Sequence, residues 1–400
     1  MSGASFLLSG VDVALPDRMA RGASLAVSDG RYANLRDHYG NVLFSDGRLS
    51  DADLRALPVE EAAGLIAAPR LVEMHIHGAG GCGFESLHSG AELRDVADFL
   101  ERRGIGCFVP TILWDEGAVS NLIHSIEESD LAPGRIPGIH IEGPFVNSRR
   151  KGGIPAHRIA VPDHGLLEKI LEVCRGRLKI MTLAPELPGV AGLYVRLREA
   201  GVMISLGHSD CTLDTAVLPD APYSITHLFN AMSGIDHRGS GGLANLPFVD
   251  GRSWVEMNAD GVHVNAACMR LAGMGIAADR LILTSDATAP AGLPYGEYRY
   301  FDRKVRSGAD GVRYEDEGTL IGSNKLGGGI ISSFIAASGL PPDRAIRAMS
   351  ANPSAALGLG GGGGEIAVGA PADLFLWTAD FATVKRPEGF SRPAAPEAEA

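Results

Sequence analysis

His75 and His77 stand one residue apart at the end of an apolar run, Leu71-Val72-Glu73-Met74-His75-Ile76-His77-Gly78. Side chains of a strand alternate faces, so the two imidazoles share a side and Ile76 takes the other. A histidine pair delivered at a strand end, before a glycine-rich loop, is placed as a metal-binding pair would be. An ordinary pair of strand histidines bonded to the next loop has the same spelling. Further groups of the same type close later apolar runs: Glu142 in Ile139-His140-Ile141-Glu142-Gly143-Pro144-Phe145, His208 in Ser205-Leu206-Gly207-His208-Ser209, His227 in Thr226-His227-Leu228, and Asp286 in Leu283-Thr284-Ser285-Asp286-Ala287. Each alone has a bland reading, such as a turn cap or a helix N-cap. Four histidines and two carboxylates in one mouth would suit a divalent transition metal, zinc or a neighbour. Iron, manganese, cobalt and nickel accept the same donors.

The elements that must bring them together alternate in kind. Apolar strand patterns fall at Leu71–His77, Cys107–Leu113, Gly138–Glu142, Lys179–Leu183, Met203–Leu206, Tyr223–His227, Trp254–Asn258 and Leu281–Ser285. Helical spacing separates several of them, as in Gly90–Arg103 and Ala118–Ser129, and a helix over Ala345–Leu357 ends the series. Eight such units predict an α/β fold of the (β/α)8 triosephosphate-isomerase type, whose functional side chains sit at the C-terminal strand ends. Residues 1–64 read instead as short strands, Ser5–Leu8, Ser24–Val27 and Asn41–Phe44, parted by turns such as Ser45-Asp46-Gly47. Past the five-glycine linker Gly360–Gly364, Glu365–Gly369 and Ala372–Trp377 read as two further strands. The expected division is a small β-sandwich from both chain ends (1–64 and 360–390) around a catalytic barrel (65–359). The Pro-, Ala- and Glu-rich end, from Pro387 and over all of 391–400, is expected to be disordered.

Composition bounds the function. A formal charge of −12 and the lack of any Lys/Arg cluster longer than Arg149-Arg150-Lys151 speak against nucleic acid as a partner. That triplet is expected in a loop beside the site. Five scattered cysteines, an odd number without a Cys-x-x-Cys pair, fit reduced thiols and a cytoplasmic protein. No apolar stretch reaches membrane-spanning length, and Phe6-Leu7-Leu8 lacks the basic flank of a secretory signal, so no membrane partner is expected.

Six ordered segments make a resemblance specific: His140–Phe145, Thr182-Leu183-Ala184-Pro185-Glu186, Gly207-His208-Ser209, His227-Leu228-Phe229-Asn230-Ala231-Met232, Asp260-Gly261-Val262-His263 and Asp286–Gly292. Over residues 65–378 the sequence resembles the amidohydrolase superfamily and, within it, the N-acetylglucosamine-6-phosphate deacetylases. The resemblance implies a barrel with a β-sandwich, and a metal-dependent deacetylase releasing acetate from an N-acetyl amino-sugar phosphate. It also implies that Glu142, His208 and His227 hold the principal metal, that His75 and His77 add a second, and that Asp286 is general base and acid. Asn230 and Ala231 would contact the sugar phosphate, with Arg238 and His263 also meeting substrate and His263 facing the developing oxyanion. Relatives are dimers that complete the phosphate site across the interface, so a homodimer is implied. Many amidohydrolases use a carboxylated lysine on the fourth strand; Lys179 lies at the wrong end of that strand, and Glu142 takes the ligand role.

Three departures concern substrate. Gly153-Ile154 replaces the family's histidine after Lys151-Gly152, with His157 three residues further on. Arg238-Gly239-Ser240-Gly241 replaces Arg-Glu-Pro-Gly, and Leu320-Ile321-Gly322-Ser323 replaces Leu-Ala-Gly-Ser, followed by Asn324-Lys325 and Gly327–Gly329. Lys325 with those glycines reads as an anion-binding or merely flexible loop. The alternatives are a different N-acyl amino sugar or other amide under the same chemistry, and a barrel that binds ligand without hydrolysis.

Overall fold

The computed structural model describes residues 4–301, 303–360 and 363–390. Eight parallel strands lie in the order of the chain: Leu71–Ile76, Ile105–Leu113, Ile139–Glu142, Leu178–Leu183, Met203–Leu206, Tyr223–Ile225, Ser253–Asn258 and Leu281–Thr284. All nine residues of Ile105–Leu113 are buried, as expected of a strand covered on both faces. The helices between strands start where a side chain caps them. Asp115, Asp163 and Asn265 accept from the backbone N–H three residues on, at 2.9, 2.7 and 3.0 Å.

The first and last barrel strands are joined by few bonds, and those lie at the rim. Asp286 N donates to His75 O (3.0 Å) and His77 N to Ala287 O (2.7 Å). Lower in the seam the Glu73 carboxylate accepts from Thr284 Oγ1 at 2.5 Å and from Ser285 N at 3.2 Å. An extra residue on the first strand, between the Glu73–Phe108 and Ile76–Pro110 pairs, accompanies this change of partner.

Both chain ends build one eight-stranded sheet that includes Phe6–Ala14, Met19–Ser28, Arg31–Arg36, Val42–Ser45, Leu65–Pro69 and Leu374–Thr378. It buries its own core, with Leu8, Val11, Leu25, Tyr32 and Leu376. Leu65–Pro69, expected to open the barrel, pairs instead with Phe6–Ala14 and Leu374–Thr378. Its apolar run is continuous with the first barrel strand, and only the pairing partner tells the two apart. Glu365–Gly369 is not a strand, and the short Val384–Lys385 is. Pro387–Phe390, expected in the disordered end, is fixed: Arg386 stacks on Phe375 and Phe390 and bonds Glu101 and Asp373. The rest of that end, 391–400, lies outside the described residues, as do two glycines of the linker.

Two regions differ from expectation near the barrel mouth. Residues between Gly296 and Gly322 form a four-stranded antiparallel sheet that is not among the strands expected from the sequence. Gly327–Ser338 is a helix, where the glycines suggested a loop. Lys325 Nζ donates to Asp260 O (2.7 Å) and Ser333 Oγ (3.1 Å), which occupies two of its three donors within the fold. Glycine is required by crowding: a Cβ on Gly328 would lie 2.2 Å from Phe381 O and 2.7 Å from Trp377. Gly328→Ala should therefore cost about 1–3 kcal/mol. Gly329→Ala, with Lys325 side-chain atoms no nearer than 3.6 Å, should be neutral or stabilising. Denaturant melts of both variants check this, and equal effects would contradict it. The helix expected over Ala345–Leu357 is two, Pro342–Ala348 and Ala351–Ala356, broken at Ser350 (φ −134°, ψ −78°).

Candidate functional site

His75, His77, Glu142, His208, His227 and Asp286 meet at the C-terminal mouth of the barrel. Three of them stand on left-handed backbone, His208 at φ 47°, His227 at 28° and Asp286 at 49°, with Phe229 (78°) and Ala231 (47°) beside them. Such strain in non-glycine residues persists only where the surroundings hold it. The Glu186 carboxylate is part of that hold, accepting from Asn147 Nδ2 (2.8 Å), Ser209 Oγ (2.7 Å) and Asp210 N (2.8 Å). It thereby fixes the loop that carries His208.

The donor atoms converge. Glu142 Oε1 lies 2.9 Å from His208 Nε2 and 3.0 Å from His227 Nε2, and these two nitrogens are 3.1 Å apart. Glu142 Oε2 lies 3.3 Å from His77 Nε2, which is 3.4 Å from His75 Nε2. Two triads result, Glu142-His208-His227 and His75-His77-Glu142, sharing one carboxylate. The chemistry of the set fits a cation. His208 Nδ1 lies 2.8 Å from the Arg150 carbonyl, which can only accept, so Nδ1 carries a proton and a neutral ring turns its Nε2 lone pair to the carboxylate. His75 is arranged alike, with Nδ1 3.1 Å from Glu256 Oε2. Lone pairs aimed at a carboxylate repel unless positive charge lies between them.

Asp286 Oδ1 lies 3.6 Å from both His75 Nε2 and His77 Nε2. Burial, then the charge of Glu142, push its carboxyl well above the usual range, so it needs a neighbouring cation to stay ionised. Burial opposes ionisation of Glu142 too; with no cation in the centre, positive charge and N–H donation from the imidazoles, His208 first, outweigh it and hold that carboxyl well below its ordinary value, the place a bound cation would take. Burial keeps His75 and His140 neutral. His263 Nδ1 bonds Asp260 Oδ2 at 2.8 Å, leaving Nε2 for a ligand.

A cavity of about 220 Å³ opens above the donors, lined by His77, Glu142, His208, His227, Asn230, Ala231, His263 and Asp286. Leu113, Ile154, Tyr300, Leu320 and Ile321 make its apolar wall, with Gly152 and Gly153 at the edge. Arg149–Lys151 does lie in a loop beside the site, where Arg150 pairs with Asp210 at 2.7 Å. His157 is exposed and outside the cavity. So is Arg238, in a loop whose Ser240 bonds Asp214. Among the described residues no lysine or arginine lines the cavity. Lys179 opens its strand and lines a cavity with Trp254 and Leu357, away from the donors.

Sequence reasoning missed Tyr300, Glu73 and Glu256. The last two had a signal, an acidic residue inside an otherwise apolar strand. Burial raises Glu73 to about 7 and Glu256 to about 8. Both folded values exceed the unfolded one near 4.3, so the metal-free fold binds the extra protons and its stability falls as pH rises through 7 and 8. Buried neutral His75 and His140 oppose this trend chiefly up to their unfolded value near 6.5, the lower edge of that window. Denaturant melts in chelator should lose on the order of a kcal/mol per unit between pH 6.5 and 8, and a flat profile would contradict this burial.

The chain matches the amidohydrolase family over residues 223–390. It is 31% identical over 302 residues to the N-acetylglucosamine-6-phosphate deacetylase of Bacillus subtilis (strain 168), across 71% of this chain and 75% of that one. It is 27% identical over 349 residues to the N-acetylgalactosamine-6-phosphate deacetylase of Escherichia coli O157:H7, across 85% and 90%. A variant of the N-acetyl-D-glucosamine-6-phosphate deacetylase from Mycobacterium smegmatis, solved with N-acetyl-D-glucosamine 6-phosphate, superposes with a TM-score of 0.82 at 28% identity, over 96% of this chain and 98% of that one. With its barrel, its shared-carboxylate triads and these relatives, the chain belongs to the N-acetylglucosamine-6-phosphate deacetylase family of the amidohydrolases.

Proposed function

We propose that this protein hydrolyses the acetamide of N-acetylglucosamine 6-phosphate, giving glucosamine 6-phosphate and acetate. The observation that carries the reading is the cavity in which Asp286 faces two histidine-carboxylate triads, in a chain whose relatives are named for this reaction. Glu142, His208 and His227 would hold one divalent metal and His75, His77 and Glu142 a second. Zinc is proposed first, with iron, manganese, cobalt and nickel compatible. When bound, the metal supplies Lewis-acid polarisation of the carbonyl and acidifies water.

The chain's own groups do the rest. Asp286 takes a proton from the attacking water as the C–O bond forms, and returns it to the nitrogen as the C–N bond breaks. His263, whose Nδ1 is bonded to Asp260 Oδ2 at 2.8 Å, has Nε2 free toward the cavity, and as imidazolium it would donate from there to the oxyanion. Asn230 and the Ala231 backbone orient the sugar phosphate. Arg238, exposed on its own chain, would serve the cavity of a second copy in a homodimer. Among the described residues no helix is long and apolar enough to cross a membrane, and every cysteine is a free thiol; we propose a cytoplasmic enzyme.

The relative named for the galactosamine isomer and the apolar wall of Ile154 and Ile321 make the choice of hexosamine the point to test. Acetate release is measured on N-acetylglucosamine and N-acetylgalactosamine, each with and without the 6-phosphate. The reading expects the highest kcat/KM on N-acetylglucosamine 6-phosphate. Turnover confined to unphosphorylated amides would overturn it.

A further inference from the structure

Glu256 sits in the middle of the seventh barrel strand, fully buried, and belongs to none of the motifs that carry the family resemblance. Its Oε2 lies 3.1 Å from His75 Nδ1, and its Oε1 accepts from Ser224 Oγ at 3.3 Å. On the far side of the ring, His75 Nε2 faces His77 Nε2 at 3.4 Å and Glu142 Oε1 and Asp286 Oδ1 at 3.6 Å each. When Glu256 is ionised, as a cation in the centre would favour, its oxygen can only accept, so this contact puts the ring proton on Nδ1 and turns the Nε2 lone pair toward the centre.

The other histidines of the centre are held differently. His208 Nδ1 meets a backbone carbonyl, and the buried Nδ1 atoms of His77 and His227 have no hydrogen-bond partner among the described residues. Of the four, His75 is the one backed by a carboxylate. Its ring is also fixed edge-on by His140, at 4.7 Å between centroids, and His140 is bonded to Thr182 Oγ1 at 2.8 Å.

We propose that Glu256 is the positioning residue for the His75-His77-Glu142 half of the centre. It sets the tautomer and angle of His75 and places negative charge behind the ring, so that this half takes its own divalent cation. Glu256 acts through His75 and does not touch substrate. The inference rests on the metal-centre reading above, but its test does not use acetate release, so either can fail without the other.

Metal-free wild type, Glu256→Met and Glu256→Gln are titrated with Zn²⁺ by calorimetry, with ions counted by elemental analysis after dialysis. Wild type should show two affinity classes. Glu256→Met, which leaves His75 Nδ1 without an acceptor, should weaken one class about 10–100-fold and spare the other. Glu256→Gln, whose carbonyl still accepts, should fall between. Thermal melts in chelator report whether each variant folds. If Glu256→Met does not fold, Glu256→Gln decides: selective weakening of one class supports the assignment and unchanged binding overturns it. Equal weakening of both classes would make Glu256 a general support and overturn it, as would a wild type that binds a single ion.

Discussion

Asp286→Asn is expected to keep its full complement of divalent metal while kcat for acetate release falls about 10²–10⁴-fold. The substitution changes one atom of the side chain and leaves the backbone bonds to His75 and Ser323 in place. Asparagine also tolerates the left-handed conformation at this position (φ 49°). What it removes is the ability to accept the proton of the attacking water, 3.6 Å from the two histidine Nε2 atoms. KM should change little, because the acid acts on the reacting atoms. Elemental analysis and steady-state kinetics on one preparation measure both halves. Turnover near wild type, at unchanged metal content, would end the assignment of Asp286 as base.

Glu142→Gln should fail in a different way. Its carboxylate belongs to both triads, so one substitution takes the shared negative ligand from each. A Gln amide cannot supply that charge. Metal content after dialysis should drop well below wild type, and kcat/KM should fall about 10³-fold or more, the several kcal/mol that Lewis-acid stabilisation provides. Excess metal in the assay should restore part of the loss in Glu142→Gln and none of it in Asp286→Asn. Equal rescue of the two would show that they do not play separate roles.

Much of the fold was legible because the barrel writes itself in short buried apolar runs. Each of the eight strands lies within a residue or two of its sequence pattern, and the charged or histidine side chains at their ends lie together in the mouth. What period cannot show is which strand pairs with which. Leu65–Pro69 has the same apolar character as Leu71–Ile76, yet hydrogen bonds place it in the other sheet. The antiparallel sheet over Gly296–Gly322 was hidden by its mixture of exposed and buried residues, and with it Tyr300. Gly327–Gly329 hid a helix because contacts distant in sequence select glycine against helix propensity at two of the three, Arg103 O and Leu71 against Gly327 and Phe381 and Trp377 against Gly328. Glu256 could be seen as an acid in an apolar strand, but its link to His75 crosses 181 residues. Arg238 carries a matching letter, and the fold still turns it away from its own cavity.

On the proposed centre, the His75-His77 pair would decide less whether hydrolysis occurs than whether a second ion could join the first at Glu142. The central claim is that acetate release from N-acetylglucosamine 6-phosphate depends on the metal held in this centre. Its most direct test is to strip the protein with chelator, add back Zn²⁺ in steps, and follow acetate release at each step. The stripped protein should release no acetate, and activity should recover within the first two equivalents per chain. Full turnover with no metal bound would contradict that claim.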